Sequence, residues 1–93
     1  MAKKKSILIV EDKIETVASL TDHLELEGYL LQSTGKLKEA LFKVRNQRYD
    51  CILIDINLEQ GSGDRLVEYI RNDSHNQNFE TPLFIMSLSL IHI

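Results

Sequence analysis

The sequence contains few of the residues that mark several specialised classes of protein. Its 93 residues include one cysteine, one proline, four glycines and no tryptophan. The single cysteine, Cys51, excludes an internal disulfide and a cysteine-based zinc site, and its position in an apolar run predicts a buried thiol. A reducing environment fits this usage, so we expect a cytoplasmic protein. With no low-complexity tract, the chain has room for one small globular domain.

An excess of positive charge is also lacking. The formal net charge is -3, which argues against a nucleic-acid module because phosphate backbones are bound by concentrated Lys and Arg. The N-terminus shows no signal peptide. The apolar stretch Leu83 to Ile93 is too short to span a bilayer. We therefore expect no nucleic-acid partner and no membrane partner for this segment.

Apolar runs predict four strands. Ser6–Val10 and Cys51–Asp55 are continuous runs of the kind found in strands that are buried on both faces of a parallel sheet. Residues 29–33 give a weaker signal, and Leu83–Met86 follows a proline that suits the start of a strand.

Three amphipathic patterns lie between these strands. The first begins at Asp12 as a plausible N-cap and ends at Gly28, the second follows Thr34-Gly35, and the third runs through Leu66 and Ile70 after the turn-like segment 59–63. The order β-α-β-α-β-α-β predicts an α/β fold with a doubly wound parallel sheet and helices on both faces. In such sheets, ligands bind beyond the C-terminal ends of the strands.

Three acidic residues and one serine lie at the C-terminal ends of the predicted strands. Glu11 and Asp12 follow the first strand, Asp55 ends the third, and Ser87 follows the fourth. Carboxylates brought together would raise one another's pKa unless a cation neutralised them, and such a set suits Mg²⁺. A carboxylate beside the ion can attack phosphorus and form an acyl phosphate. Each acid alone would more simply be a cap or loop residue, but their joint placement favours a functional site.

Four segments resemble the receiver domains of two-component response regulators: residues 7–12, residues 49–58, Gly63 and residues 85–87. The resemblance implies a flavodoxin-like receiver topology that is incomplete here, with four strands and three helices of the usual five and five. Gly63 would occupy the turn-glycine position of the family.

The resemblance also implies a role for each site residue. Asp55 would be the phosphoacceptor, with Glu11 and Asp12 as the acidic pair and Ser87 as the switch hydroxyl. Mg²⁺ would be bound by Asp12, Asp55 and the backbone carbonyl of Asn57. The phosphoryl donor would be a sensor histidine kinase or a histidine phosphotransfer protein, and homodimerisation on phosphorylation is a further expectation. Such a protein is a switch and not an enzyme, because it catalyses only its own phosphorylation and dephosphorylation.

Departures from the family pattern leave an alternative open. Family members often carry proline where this chain has Glu59, and usually a small residue where it has Leu88. Their fifth strand ends on a lysine that contacts the phosphoryl group, and no such strand follows here. A pseudo-receiver that binds partners without taking phosphate is therefore the main alternative.

Enzyme and nucleotide-binding readings fit less well. A phosphatase of similar design would need a second acid where this chain has Asn57. A dinucleotide site is disfavoured because Leu66 stands at the third glycine position. A flavin-phosphate site after the first strand is disfavoured by Glu11 and Asp12, which would repel a phosphate group that lacks a metal.

Residues 88–93, Leu-Ser-Leu-Ile-His-Ile, do not fit the polar loop that the family has at this place. Back-translated, they match the end of a common transposase-based sequencing adapter. We therefore expect residues 1–87 to be part of a receiver domain and residues 88–93 to be a non-native tail. Resequencing the locus from the codon for Ser87 should show a different reading frame that continues to a further apolar strand ending in lysine. A gene that reads through Ile93 and stops would contradict this expectation.

Overall fold

The computed structural model describes residues 3–59 and 61–86. Along the chain these residues form nine elements: β1 (Ser6–Val10), α1 (Ile14–Leu26), β2 (Leu30–Thr34), α2 (Leu37–Asn46), β3 (Cys51–Asp55), β4 (Asn57–Leu58), β5 (Gly61–Ser62), α3 (Gly63–Arg71) and β6 (Leu83–Met86). Within this part of the chain, no helix is both long enough and apolar enough to cross a membrane.

The main sheet has four parallel strands in the order β2-β1-β3-β6. The chain moves from β1 outward to β2 and then returns to the other side of β1, so the strand order reverses between β1 and β3. The pairing of Val10 with both Thr34 and Ile54 aligns the C-terminal ends of the three strands. This alignment places the segments that follow β1, β2 and β3 at one edge of the sheet.

The hydrophobic core lies between the sheet and helices α2 and α3. Alternate residues of β1 and β3 face these helices, and they are fully buried together with apolar residues of the two helices: Leu8, Val10, Ala40, Val44, Ile52, Ile54, Leu66 and Ile70. Helix α1 has no buried residue, and its Leu24 lines a cleft with Ile7 and Leu53 on the opposite face. The predicted doubly wound α/β fold is confirmed.

Local boundaries match the sequence prediction in part. The bounds of β1, β3 and β6 are as predicted, and β2 begins and ends one residue later. The prediction of Asp12 as the N-cap of α1 is wrong, because the cap is Lys13 and its side chain makes no capping hydrogen bond. The segment 59–63 is predicted to be turn-like and to lead into a helix, and Glu59 does lie in the turn of the antiparallel hairpin β4–β5, after which α3 starts directly at Gly63.

The prediction of a buried thiol at Cys51 is also wrong. Cys51 is partly exposed, because it lines the cleft beside α1 and not the core. On the same face, the end strand β6 leaves Phe84 57% exposed, and Ile85, on the opposite face of β6, is 53% exposed. The described residues therefore leave apolar surface open to solvent at the β6 edge of the sheet.

A buried amide joins the elements at the N-terminal edge of the sheet. Asn78 is fully buried; its Oδ1 accepts the Tyr49 N–H at 2.8 Å, and its Nδ2 donates to the carbonyls of Val44 at 2.8 Å and Gln47 at 2.7 Å. The Thr81 hydroxyl donates to the Tyr49 carbonyl at 3.0 Å. Asn78 thus connects the end of α2, the start of β3 and the loop before β6.

We predict that Asn78→Ala destabilises the fold by about 3 kcal/mol, because it leaves a buried N–H and two carbonyls without partners. Urea unfolding followed by circular dichroism would measure the loss. Gln77→Ala is the control, since Gln77 is exposed and makes a single bond, to the Arg45 carbonyl at 3.2 Å. Equal effects of the two substitutions would contradict the anchoring role of Asn78.

Candidate functional site

Three carboxylates meet at the C-terminal edge of the sheet. Glu11 and Asp12 directly follow β1, and Asp55 is the last residue of β3. Because β1 and β3 are adjacent and in register, the three side chains each offer an oxygen within 4.8 Å of the others. The structure therefore brings together the acidic residues that the sequence predicted as a site.

Backbone N–H groups bind one oxygen of each carboxylate. The Glu11 Oε2 accepts the N–H groups of Asp12 at 2.9 Å and Lys13 at 3.3 Å. The Asp55 Oδ1 accepts the Asn57 N–H at 3.0 Å, and the Asp12 Oδ2 accepts the Glu59 N–H at 2.7 Å. These bonds fix the orientation of all three carboxylates and explain why Asp12 does not cap α1.

Two further oxygens are buried and have no hydrogen-bond partner within the described residues. They are the Glu11 Oε1 and the Asp55 Oδ2, on side chains that are 2% and 0% exposed. Burial, together with the neighbouring Asp55 carboxylate, raises the pKa of Glu11 to about 7. Leaving such oxygens unpaired costs stability, so the cluster is better suited to a positively charged ligand than to structural support.

The donor set fits a hard divalent cation. Carboxylate oxygens are the preferred ligands of Mg²⁺, which binds one or two carboxylates and keeps several waters. The carboxylates of Asp12 and Asp55 would bind such an ion, and Glu11 would add a further negative charge beside it. When bound, Mg²⁺ would neutralise the carboxylates and screen the charge of an incoming phosphoryl group.

Two glycines allow the backbone to pack closely around the acids. A Cβ on Gly35 would lie 2.9 Å from the Asp12 Cα and 3.0 Å from its Cβ. A Cβ on Gly63 would lie 2.5 Å from the Asp55 carbonyl oxygen and 2.6 Å from a methyl carbon of Ile54. The sequence pointed to Gly63 through the family resemblance, whereas Gly35 was read only as the start of a helical pattern.

Of the two other predicted site residues, the structure describes Asn57 but not Ser87. Asn57 is exposed in β4, and its N–H donates to Asp55, but the role of its carbonyl as a metal ligand stays a prediction. Ser87 lies outside the described residues, as does the tail at 88–93. Met86, which precedes Ser87, is paired with Asp55 in the sheet.

An open cleft of about 600 Å³ adjoins the acids. Glu11 and Asp12 line it together with the first turns of α1 and the loop from β2 to α2. Ile14, at the start of α1, is 83% exposed at this cleft. Glu11 and Asp12 therefore border a cleft with an exposed apolar side chain at its rim, and the fully buried Asp55 lies behind them.

Comparison with known proteins identifies similar chains. A family model described as the response regulator receiver domain matches residues 7–89. The polar-differentiation response regulator DivK of Brucella anthropi is 36% identical over 69 residues, which are 74% of this chain and 56% of DivK. DivK of Brucella ovis is 35% identical over the same shares of the two chains. This chain thus spans little more than half the length of these relatives.

Solved structures agree with the fold. The chemotaxis response regulator CheY4 of Vibrio cholerae has a TM-score of 0.81 at 28% identity, covering 89% of this chain and 68% of that one. The receiver domain of the sensor histidine kinase PA1611 from Pseudomonas aeruginosa has a TM-score of 0.85 at 23% identity, covering 97% of this chain and 72% of that one. The latter structure contains a magnesium ion in its active-site cleft.

We predict that Glu11→Gln stabilises the metal-free protein at neutral pH by about 1–2 kcal/mol, because the neutral amide removes repulsion and can donate to the unpaired Asp55 oxygen. The same change should reduce the stabilisation that added Mg²⁺ gives. Thermal unfolding with and without Mg²⁺ measures both effects. Glu25→Gln, at an exposed position of α1, is the matched control. A destabilised Glu11→Gln protein without metal would contradict the prediction.

Proposed function

This chain belongs to the response regulator receiver domain family, and from that premise we propose that Asp55 accepts a phosphoryl group in two-component signalling. Asp12, Asp55 and the backbone carbonyl of Asn57 would bind the Mg²⁺ that the reaction needs, and Glu11 would complete the acidic pair. The phosphorylated and unphosphorylated forms would be the two states of a signalling switch.

The observation that carries this proposal is the environment of the Asp55 carboxylate. Its Oδ1 accepts the Asn57 N–H, while its Oδ2 is buried and unpaired among the described residues. A carboxylate fixed by one oxygen presents the other in a defined direction, which favours its use as a nucleophile. Glu11 and Asp12 each have an oxygen within 4.8 Å of an oxygen of the Asp55 carboxylate, and their charge would attract a cation to Asp55.

Phosphoryl transfer can be written with these groups. The Asp55 Oδ2 would attack the phosphorus of a phosphohistidine, and the bond from phosphorus to the imidazole nitrogen would break. The nitrogen keeps the electron pair of that bond and takes a proton from solvent. Hydrolysis of the acyl phosphate by water would later return the free carboxylate and release inorganic phosphate.

The partner in this proposal is a sensor histidine kinase or a histidine phosphotransfer protein. The cleft beside Glu11 and Asp12 is open to solvent, and exposed Ile14 lies at its rim. A protein-bound phosphohistidine could therefore approach the acids from this side. A cytoplasmic location and homodimerisation on phosphorylation stay predictions.

Ser87 would transmit the new charge. The residue before it, Met86, is paired with Asp55 across β3 and β6. A phosphoryl group on Asp55 adds a dianion with strong acceptor oxygens, and a nearby hydroxyl can donate to it. The Ser87 hydroxyl would move toward the phosphoryl group. This movement would shift a surface of the domain from one of two arrangements to the other.

We predict that the intact protein becomes phosphorylated when incubated with acetyl phosphate and Mg²⁺, and that Asp55→Asn abolishes the modification. Intact-mass spectrometry detects the added group, and its loss in hydroxylamine identifies an acyl phosphate. Asp22→Asn, at an exposed position of α1, is the control and should be modified like the wild type. Chelation of the metal should prevent the modification of the wild type and of Asp22→Asn.

Two outcomes would contradict the proposal. Modification that persists in Asp55→Asn would place the acceptor elsewhere. A folded wild-type protein that binds Mg²⁺ but takes no phosphoryl group would favour the pseudo-receiver, which acts by binding partners alone.

A further inference from the structure

Strand β2 forms one edge of the main sheet. Within the described residues it pairs with β1 alone, and it lies at the opposite end of the sheet from β6. Its first residue, Leu30, donates its N–H to the carbonyl of Lys5 at 2.9 Å, so residues 30, 32 and 34 direct their backbone groups toward β1. Leu31 and Ser33 lie between these residues, and their N–H and C=O groups therefore point outward from the sheet.

The edge of β2 lacks the features that usually protect an open strand. Charged side chains, prolines and bulges are common protections, whereas β2 reads Leu-Leu-Gln-Ser-Thr and pairs with β1 without interruption over its whole length. Leu30 is 54% exposed. The strand is also held in place, because the Gln32 side chain accepts the Tyr49 hydroxyl at 3.0 Å and donates to the Gln47 Oε1 at 2.9 Å. The edge is thus both open and ordered.

The two ends of β2 have opposite charge. At its N-terminal end, Leu30 lines a basic cleft of about 510 Å³ together with Lys3, Lys4, Lys5 and Arg48. This cleft also contains Asp50, which is paired with Arg48 at 3.1 Å. At its C-terminal end, Thr34 lines the acidic cleft of about 600 Å³, whose charged residues are Glu11, Asp12, Glu39, Glu59 and Lys36. Positive charge is therefore in excess at one end of the strand and negative charge at the other.

We propose that β2 is a homodimerisation edge, at which two copies of this chain pair antiparallel with Gln32 on the two-fold axis. In this register Leu31 of each copy lies opposite Ser33 of the other, and these are the residues whose backbone groups point outward. Each Leu31–Ser33 pair exchanges two N–H···O bonds across the contact. A register shifted to either side would leave part of the strand unpaired. The contact joins the two sheets into one continuous sheet.

The antiparallel direction also brings unlike charges together. Leu30 of one copy lies opposite Thr34 of the other, so the basic cleft of each copy faces the acidic cleft of its partner. A parallel arrangement would instead bring like charges together, which is destabilising. Charge complementarity therefore favours a second copy of this chain as the partner of β2, and each copy would place lysines beside the acidic cleft of the other.

Charge reversal at exposed positions tests this pairing. We expect Lys4→Glu to weaken dimerisation at least about tenfold, a factor that corresponds to about 1.4 kcal/mol, because it turns a carboxylate toward the acidic cleft. Glu39→Lys should have the same effect, and the double variant should restore dimerisation because the two charges exchange places. Arg65→Glu, at an exposed position of α3, is the control for net charge and should dimerise like the wild type.

Sedimentation velocity of the intact protein from about 1 µM to about 1 mM measures the dimer. Added salt should weaken it, because charges at exposed ends are screened. The unphosphorylated protein is used throughout, so the result depends neither on the proposed function nor on the dimerisation expected on phosphorylation. Circular dichroism shows that each variant is folded.

Amide exchange identifies the strand that forms the contact. The Leu31 and Ser33 amides should exchange with deuterium more slowly as the protein concentration rises, whereas the Gln32 amide, which faces β1, should be unchanged. A protein that stays monomeric over the whole range would overturn the inference. So would a dimer that the charge variants leave unaltered, or one in which exchange at Leu31 and Ser33 is independent of concentration.

Discussion

Repulsion among three carboxylates at one sheet edge is the constraint on which the rest of this structure depends. Glu11, Asp12 and Asp55 each have an oxygen within 4.8 Å of the others, and two of their oxygens are buried without a partner among the residues that the structure describes. Such an arrangement costs free energy in the absence of a cation. The parallel pairing of β1 with β3 and the fully buried core behind it supply the stability that allows the acids to stay together.

Backbone groups around the acids reduce this cost without occupying the site. One oxygen of each carboxylate accepts at least one N–H, which leaves the other available to a ligand. Gly35 and Gly63 have no side chain to hold the adjoining loops away from Asp12 and Asp55. The loops can therefore approach closely, and within the part of the chain that the structure describes, main-chain N–H groups hold the acids in place of basic side chains that would compete with a cation.

The sequence was sufficient to predict elements whose signal is local. Continuous apolar runs predicted β1, β3 and β6, and the alternation with helices predicted the sheet edge at which the acids meet. It was insufficient for features that depend on distant contacts. The two-residue strands β4 and β5 form only because Leu58 packs in the core, and the requirement for glycine at 35 arises from Asp12, which is far away in the sequence. Asp12 was misread as a cap because its carboxylate is bound by Glu59, which no local pattern reveals.

Buried polar groups are hydrogen-bonded at the N-terminal edge of the sheet and partly unpaired at the C-terminal edge. This difference distinguishes a polar network that stabilises the fold from one that is suited to bind a ligand. At the N-terminal edge, the Asn78 side chain uses both its amide oxygen and its amide nitrogen in hydrogen bonds, and the Thr81 hydroxyl is paired. That network stabilises the fold and leaves nothing for a ligand. At the C-terminal edge, one oxygen of Glu11 and one of Asp55 are buried and have no partner within residues 3–59 and 61–86. A buried polar group that the fold leaves unpaired, next to others of the same charge, is best explained by a ligand of opposite charge. The acidic edge is therefore the place at which we propose that this domain binds a cation and accepts a phosphoryl group.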